Sequence, residues 1–334
     1  MSRRLEGRDE KIVEPDLPII DAHHHLYEKP GLRYMPEEYA EDAQAGHNIV
    51  ASVLVEGGAF FRQSGPEVLR PLGEVEFANG VGAMADGGKY GGLRICAAIV
   101  GYADLRLGDS VGWLLDRAMA AAPDRFRGIR QITMDYPTDA PFRFFLSGRP
   151  PAGVMQDPNF DNGFSQLAQR GLVYDATGFH VQLPDLAALA DRYPYTQIVL
   201  NNLGTAVALD MNAKEKQAVF AEWKAKLAEA AKRPNLLCKV SGLGMPFWGF
   251  DLHEQEGEIS SAELAELWRP YVETAIEHFG ADRCLAGSNY PPDSRSAGFV
   301  PLWNALKLTV AGCSSSEKHA LFAGTAARVY RISL

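Results

Sequence analysis

A chain of 334 residues, 46% hydrophobic and 22% charged, has the make-up of a globular enzyme. Its formal net charge of -9 includes no basic stretch, which argues against a nucleic-acid partner but leaves room for a small anionic substrate met by local arginines. No apolar run approaches the ~18 residues of a membrane span, and the charged opening MSRRLEGRDEKIVEPDLP lacks a secretory apolar core, so a cytoplasmic location is expected.

Residues 1–17 read as an N-terminal extension and 18–334 as one domain. Short apolar, β-branched runs predict strands at Ile19–His25, Ile49–Glu56, Arg94–Val100, Phe126–Gln131, Leu172–Ala176, Gln197–Asn202, Leu236–Ser241 and Cys284–Ser288. Between them lie helical patterns such as Pro36–Ala45, Ser110–Ala121, Pro184–Tyr193, Ala213–Lys232, Ala262–Phe279 and Val300–Val310, and Ser315–Tyr330 closes the chain. Regular alternation predicts a parallel sheet with helical crossovers, and eight repeats predict its closure into an α/β fold of the (β/α)8 TIM-barrel type. A doubly wound open sheet is the rival, but no GxGxxG turn follows the first strand. Ser261 is placed to cap the helix that follows it, with Glu263 near that helix's positive end. Cys96, Cys238, Cys284 and Cys313 are scattered, without a CxxC pair, and read as free thiols in a reducing compartment. Three strand-to-helix connections are long: Gly57–Arg70, Met134–Asp157 and Gly242–Ser260. In a barrel that face builds the active site.

The first strand ends Asp21-Ala22-His23-His24-His25. Alternate strand residues share a face, so His23 and His25 point together and His24 points away; Asp21 reads as structural. A histidine pair at a barrel mouth can bind a metal or polarise a carbonyl. Beyond the fifth strand, His180 is either a third site histidine or a surface one. Glu56 ends the second strand, as a site carboxylate or a solvated strand end. Arg130 ends the fourth, and its fork suits a substrate carboxylate, with an internal salt bridge as the alternative. Asp293 is either a site carboxylate or a helix cap. Trp248 and Phe247 lie where they would pack on a substrate ring or fill a loop core.

The run IIDAHHHLYEKP resembles the opening of the amidohydrolase-related branch of the amidohydrolase superfamily, which holds pyrone-dicarboxylate and sugar-acid lactonases. The resemblance continues in order through IVGYADL (99–105), FRGIRQ (126–131), FHVQL (179–183), IVLNNLG (198–204), GSNYP (287–291) and GTAARVY (324–330). It implies a hydrolase acting on a lactone or related cyclic ester of a small carboxylated substrate. Lactone isomerases, decarboxylases and hydratases share this ancestry, and a barrel that only binds a ligand is the reading from a different class. Two positions depart from the family pattern: Asn202 stands where a histidine is usual, and Asn289 where an aspartate is. Asparagine neither takes a proton near neutral pH nor ligates zinc well. The reading that follows has His23, His25 and His180 around the scissile carbonyl, Asn289 positioning water and Glu56 or Asp293 as base. Arg130, Asn202, Tyr290 and Trp248 contact the substrate. One divalent ion, zinc by preference, on His23, His25 and His180 and a metal-free mechanism both stand open, as does homo-oligomerisation.

Overall fold

The structure, a computed structural model, describes residues 10–29, 31–145, 148–255 and 257–334. Residues 1–9 of the expected N-terminal extension lie outside the described residues. The strands are β1 (Ile19–His24), a small antiparallel hairpin of β2 (Tyr27–Lys29) and β3 (Leu32–Tyr34), then β4 (Ile49–Val55), β5 (Arg94–Tyr102), β6 (Phe126–Ile132), β7 (Val173–Thr177), β8 (Ile198–Leu200), β9 (Leu236–Val240) and β10 (Cys284–Ala286). Leaving out the hairpin, eight strands form one parallel sheet in chain order, β1-β4-β5-β6-β7-β8-β9-β10. The ring meets itself where His24 bridges Tyr290, Asn289 N donates to His23 O at 2.7 Å and His25 N donates to Tyr290 O at 2.7 Å. The chain is a single-domain (β/α)8 barrel.

The outer helices are α1 (Pro36–Ala43), α2 (Leu72–Asp86), α3 (Val111–Ala121), α4 (Phe160–Gln169), α5 (Leu183–Arg192), α6 (Ala213–Ala230), α7 (Ser261–Phe279) and α8 (Phe299–Thr309). Two of them, α2 and α4, are not among the helical patterns singled out in the sequence. Glycines blur both: α2 carries three, and in α4 a Cβ at Gly163 would sit 2.0 Å from the Leu105 carbonyl oxygen. The cap of α7 is Ser260 rather than Ser261, in a reciprocal box with Glu263. The segment Ser315–Tyr330 runs as α9 (Ser315–His319), a π-turn (Ala320–Gly324) and α10 (Thr325–Tyr330).

Apolar, mostly small or β-branched side chains such as Ile20, Ala22, Val53, Val100 and Val199, with Leu285, fill the barrel interior. Tyr330 and Ile332 join that cluster, and the chain after α10 is held at the N-terminal strand ends by Arg94 Nη1 to Ser333 O and Arg127 Nε to Tyr330 O. Within the interior lies a fully buried ion pair, Lys239 with Asp175, whose other oxygen accepts from Tyr330 Oη at 2.8 Å. That stacking leaves the opposite, C-terminal end of the barrel open for a site.

Candidate active site

β1 does not alternate simply. Ile20 and Ala22 face the interior, so strict alternation would send His24 inward and His23 and His25 outward. Instead Asp21 pairs with Ser52 and His24 with Leu54, three residues against two. This bulge shifts the face. His24 turns outward, stacked on Tyr39 with ring centroids 4.1 Å apart and its Nε2 2.9 Å from Ser52 Oγ. Asp21 accepts from His23 N, Ser288 N, Ser288 Oγ and Tyr39 Oη. It staples the first strand to the end of the last, and burial raises its pKa to about 6 despite those bonds.

His23 and His25 converge, with their Nε2 atoms 3.2 Å apart. His25 Nδ1 lies 2.8 Å from Val55 O, and a carbonyl only accepts, so Nδ1 carries the proton and Nε2 of the neutral ring is an acceptor. Both pKa values fall well below the usual 6.5: burial is the chief cause, followed by the charge of Lys239 for His23 and of Arg130 for His25. His23 then donates from Nε2 to His25, and its bare Nδ1 has no hydrogen-bond partner among the described residues.

His25 opens onto a cavity of about 520 Å³ at the C-terminal strand ends. Glu56, Arg130, Asn202 and Asn289 line it too. Glu56 and Arg130 are a buried pair: Arg130 donates from Nε to Glu56 Oε1 at 2.7 Å and from Nη2 to the Glu56 carbonyl. The internal salt bridge is therefore what Arg130 forms, in place of the free substrate fork expected of it. Behind it Glu74 accepts from Gly57 N and Ala59 N at 2.8 and 3.2 Å. Burial, then the charge of Glu56, raises the Glu74 pKa to about 8.

Asn202 sits in a left-handed turn, φ 51°, that ends β8, and its Oδ1 accepts from Ser241 Oγ at 2.7 Å. The turn fits because Gly242 offers no side chain: a Cβ there would lie 2.5 Å from Asn202 Cγ. Asn289, also left-handed at φ 51°, donates from Nδ2 to Asp293 Oδ1. Asp293 does not line the cavity and caps no helix with its side chain; it lies behind Asn289, four residues on in the chain.

Three expected contacts lie elsewhere. The chain after β7 turns so that Phe179 fills a core and the buried His180 accepts through Nδ1 from Val207 N at 3.3 Å, away from the cavity lining. Trp248 packs on Trp223 and Tyr271 and donates from Nε1 to Gly242 O. Tyr290 packs on Phe299 and donates to Ala297 O. All three long loops named from the sequence reach the cavity, through Phe61, Phe144 and Phe247 among others. Lining residues that sequence reasoning passed over include Lys29, Tyr102, Arg106, Thr177, Arg149 and Arg295. For Arg106 the signal was present, since it follows the end of β5 by four residues.

A zinc site of this fold needs three protein donors beside an open position. The two Nε2 atoms have a spacing that one ion at ~2.0–2.1 Å from each would span near the tetrahedral angle. With His180 turned away and asparagine at 202 and 289, no set of three His, Cys, Asp or Glu side chains is placed to hold an ion among the described residues. The donors present do not fit a three-histidine zinc, one of the two readings the sequence left open. No described helix is long and apolar enough to cross a membrane.

The sequence profile described as "Amidohydrolase" matches residues 20–332. The chain is 34% identical over 339 residues to uncharacterized protein y4mH of Sinorhizobium fredii, covering 95% of this chain and 99% of that one. It is 28% identical over 242 residues to an L-fucono-1,5-lactonase of Burkholderia multivorans, covering 71% and 72%. A crystal structure of an amidohydrolase from Burkholderia multivorans with bound zinc has the same fold, with a TM-score of 0.71 at 24% identity over 94% and 99% of the two chains.

Proposed function

The chain belongs to the amidohydrolase family, a family of hydrolases, and from that premise we propose that it opens the ring ester of a small lactone bearing a carboxylate. The observation that carries this reading is the charge of the cavity wall. Glu56 is the one lining carboxylate among the described residues, and Lys29, Arg106, Arg130, Arg149 and Arg295 surround it. Arg106, Arg130 and Arg149 are held by carboxylates, but Arg295 makes no ion pair among the described residues, so the wall attracts an anion and leaves a single carboxylate in place to take a proton. The sugar-acid lactonase name carried by the Burkholderia relative makes ester-ring hydrolysis the first chemistry to test.

Water held at the Asn289 amide gives its proton to the free oxygen of Glu56 as its oxygen bonds to the acyl carbon. The carbonyl pair moves onto oxygen, and the oxyanion meets the fixed charge of Arg130 at the cavity wall. Collapse breaks the ring C–O bond, and Glu56 returns its proton to the departing ring oxygen. His25, its proton fixed on Nδ1, remains an acceptor that orients its neighbour. No step passes through a metal.

The test is a panel of carboxylated and neutral lactones read by proton release with wild-type protein and Glu56→Gln. Loss of a general base lowers kcat ~10²–10⁴-fold. Hydrolysis unchanged in Glu56→Gln removes the base assignment. A panel without turnover, with carbon dioxide released from carboxylated aromatics, replaces hydrolysis with decarboxylation.

A further inference from the structure

We propose that Arg295, not Arg130, anchors the substrate's carboxylate and so sets the enzyme's preference for anionic over neutral ring esters; this rests on the hydrolase reading above. Arg295 ends the short turn Pro292–Arg295 beyond β10 and lines the cavity, half-buried. The other lining arginines are committed. Arg106 holds Asp104 through two nitrogens, Arg130 holds Glu56, and Arg149 holds Asp135 and Asp139. Among the described residues Arg295 makes no ion pair. Its one hydrogen bond, Nη1 to Phe144 O, is long at 3.4 Å, and its Nε is buried without a partner.

The nearby Asp293 does not meet that need. Both its oxygens are taken, by Asn289 Nδ2 and Gly244 N. Burial lowers the Arg295 pKa, but a guanidinium remains charged. A desolvated cation with unused donors is costly unless an anion completes it. A guanidinium's planar set of donors matches a carboxylate. Phe144, Phe145 and Phe247 line the same cavity, and Phe247 lies 6.0 and 5.9 Å from the other two rings. Beside the guanidinium they offer flat apolar surface and no hydrogen-bond partners. The fitting ligand is therefore a planar carboxylate, charged at one end and apolar across its face.

Binding separates this from turnover. Benzoate and its neutral isostere benzamide are titrated calorimetrically into wild type, Arg295→Met and Arg295→Lys. Wild type prefers benzoate. Arg295→Met loses benzoate affinity ~30- to 1,000-fold, the range for removing one partner of a desolvated charge pair, and keeps benzamide affinity; Arg295→Lys falls between. Unchanged benzoate affinity in Arg295→Met overturns the proposal, as does wild type that binds benzoate no better than benzamide. If the variants fail to fold, benzoate must protect Arg295 of the wild type from phenylglyoxal, read by mass spectrometry; absence of protection overturns it equally. Arg295-dependent benzoate binding with no lactone hydrolysed upholds the anchor and defeats only the hydrolase reading.

Discussion

Asn289 donates from Nδ2 to Asp293 Oδ1 at 2.6 Å, and Asp293 Oδ2 accepts from Gly244 N at 3.0 Å. A carboxylate facing the amide nitrogen turns Asn289 Oδ1 away from it, so Asp293 sets which end of the amide the cavity sees. Burial lifts the Asp293 pKa from 3.8 to about 7, against the pull of these two hydrogen bonds. Between those values the native protein holds a proton that the unfolded chain has released. The resulting stability is complete below pH ~4 and is lost as pH rises towards ~7. Asp293→Asn carries no such term. Its stability relative to wild type is expected to rise by about 2 kcal/mol from pH 5 to pH 8, measured by urea unfolding. Its amide would present a donor to Asn289 and flip it, so kcat falls at every pH. A pH-independent stability difference rejects the assignment.

Arg130 is expected to matter for folding before substrate binding. Removing it leaves Glu56 buried beside Glu74 with no counter-charge. Arg130→Met should cost about 3–5 kcal/mol in denaturant unfolding, and adding Glu56→Gln should recover a large part of that. The sequence alone put a substrate-carboxylate contact first, which would raise KM and spare stability, with the internal salt bridge as the alternative. Arg130→Met unfolding at the wild-type midpoint would reinstate that view.

The family pattern has an aspartate where Asn289 stands, and a carboxylate there would add a charged oxygen beside His23 and His25. Zinc titrated calorimetrically into wild type should bind weakly, and Asn289→Asp should tighten it by tenfold or more, since a charged oxygen replaces a neutral one. Tight stoichiometric binding by wild type, untouched by replacing His23 or His25, would place zinc elsewhere.

Gly287 lets the last strand approach the first. A Cβ there would lie 2.8 Å from His23 Cβ and 3.0 Å from His23 N. Gly287→Ala is expected to cost about 1–3 kcal/mol and to displace His23, with kcat reduced more than KM is raised. Gly80→Ala in α2 is the control, because nothing lies within 4 Å of its Cβ. There the substitution should stabilise by about 0.5–1 kcal/mol.

The barrel was legible because its strands are short, β-branched and evenly spaced, and those runs answer to local physics. Glu56, His25 and Asn289 were legible because strand ends at one face become cavity wall. What escaped depends on displacements of one residue. The argument from alternation placed His23 and His25 together, yet it is the bulge after Asp21 that turns them inward, and nothing in DAHHH announces a bulge. His180 sits three residues beyond β7, and the turn at Gly178 gives the cavity side to others. Trp248 and Tyr290 look like substrate contacts by type, but their donors are satisfied by backbone carbonyls in the core. Arg295 was missed because its significance lies in lacking a carboxylate partner, which only coordinates reveal.

The seam between β1 and the last strand bears on how the enzyme comes into being. Ser288 and Asp21, joined there by hydrogen bonds, stand 267 positions apart in the chain. The histidine pair lies on one side of that seam, and Asn289 and Arg295 lie on the other. Bringing such distant segments together carries the loop-closure entropy of nearly the whole polypeptide. A partly folded chain, however rich in helices and strands, therefore owns only half a site. Turnover begins when the ring shuts, so recovery of activity during refolding reports on that final event and not on the secondary structure that precedes it.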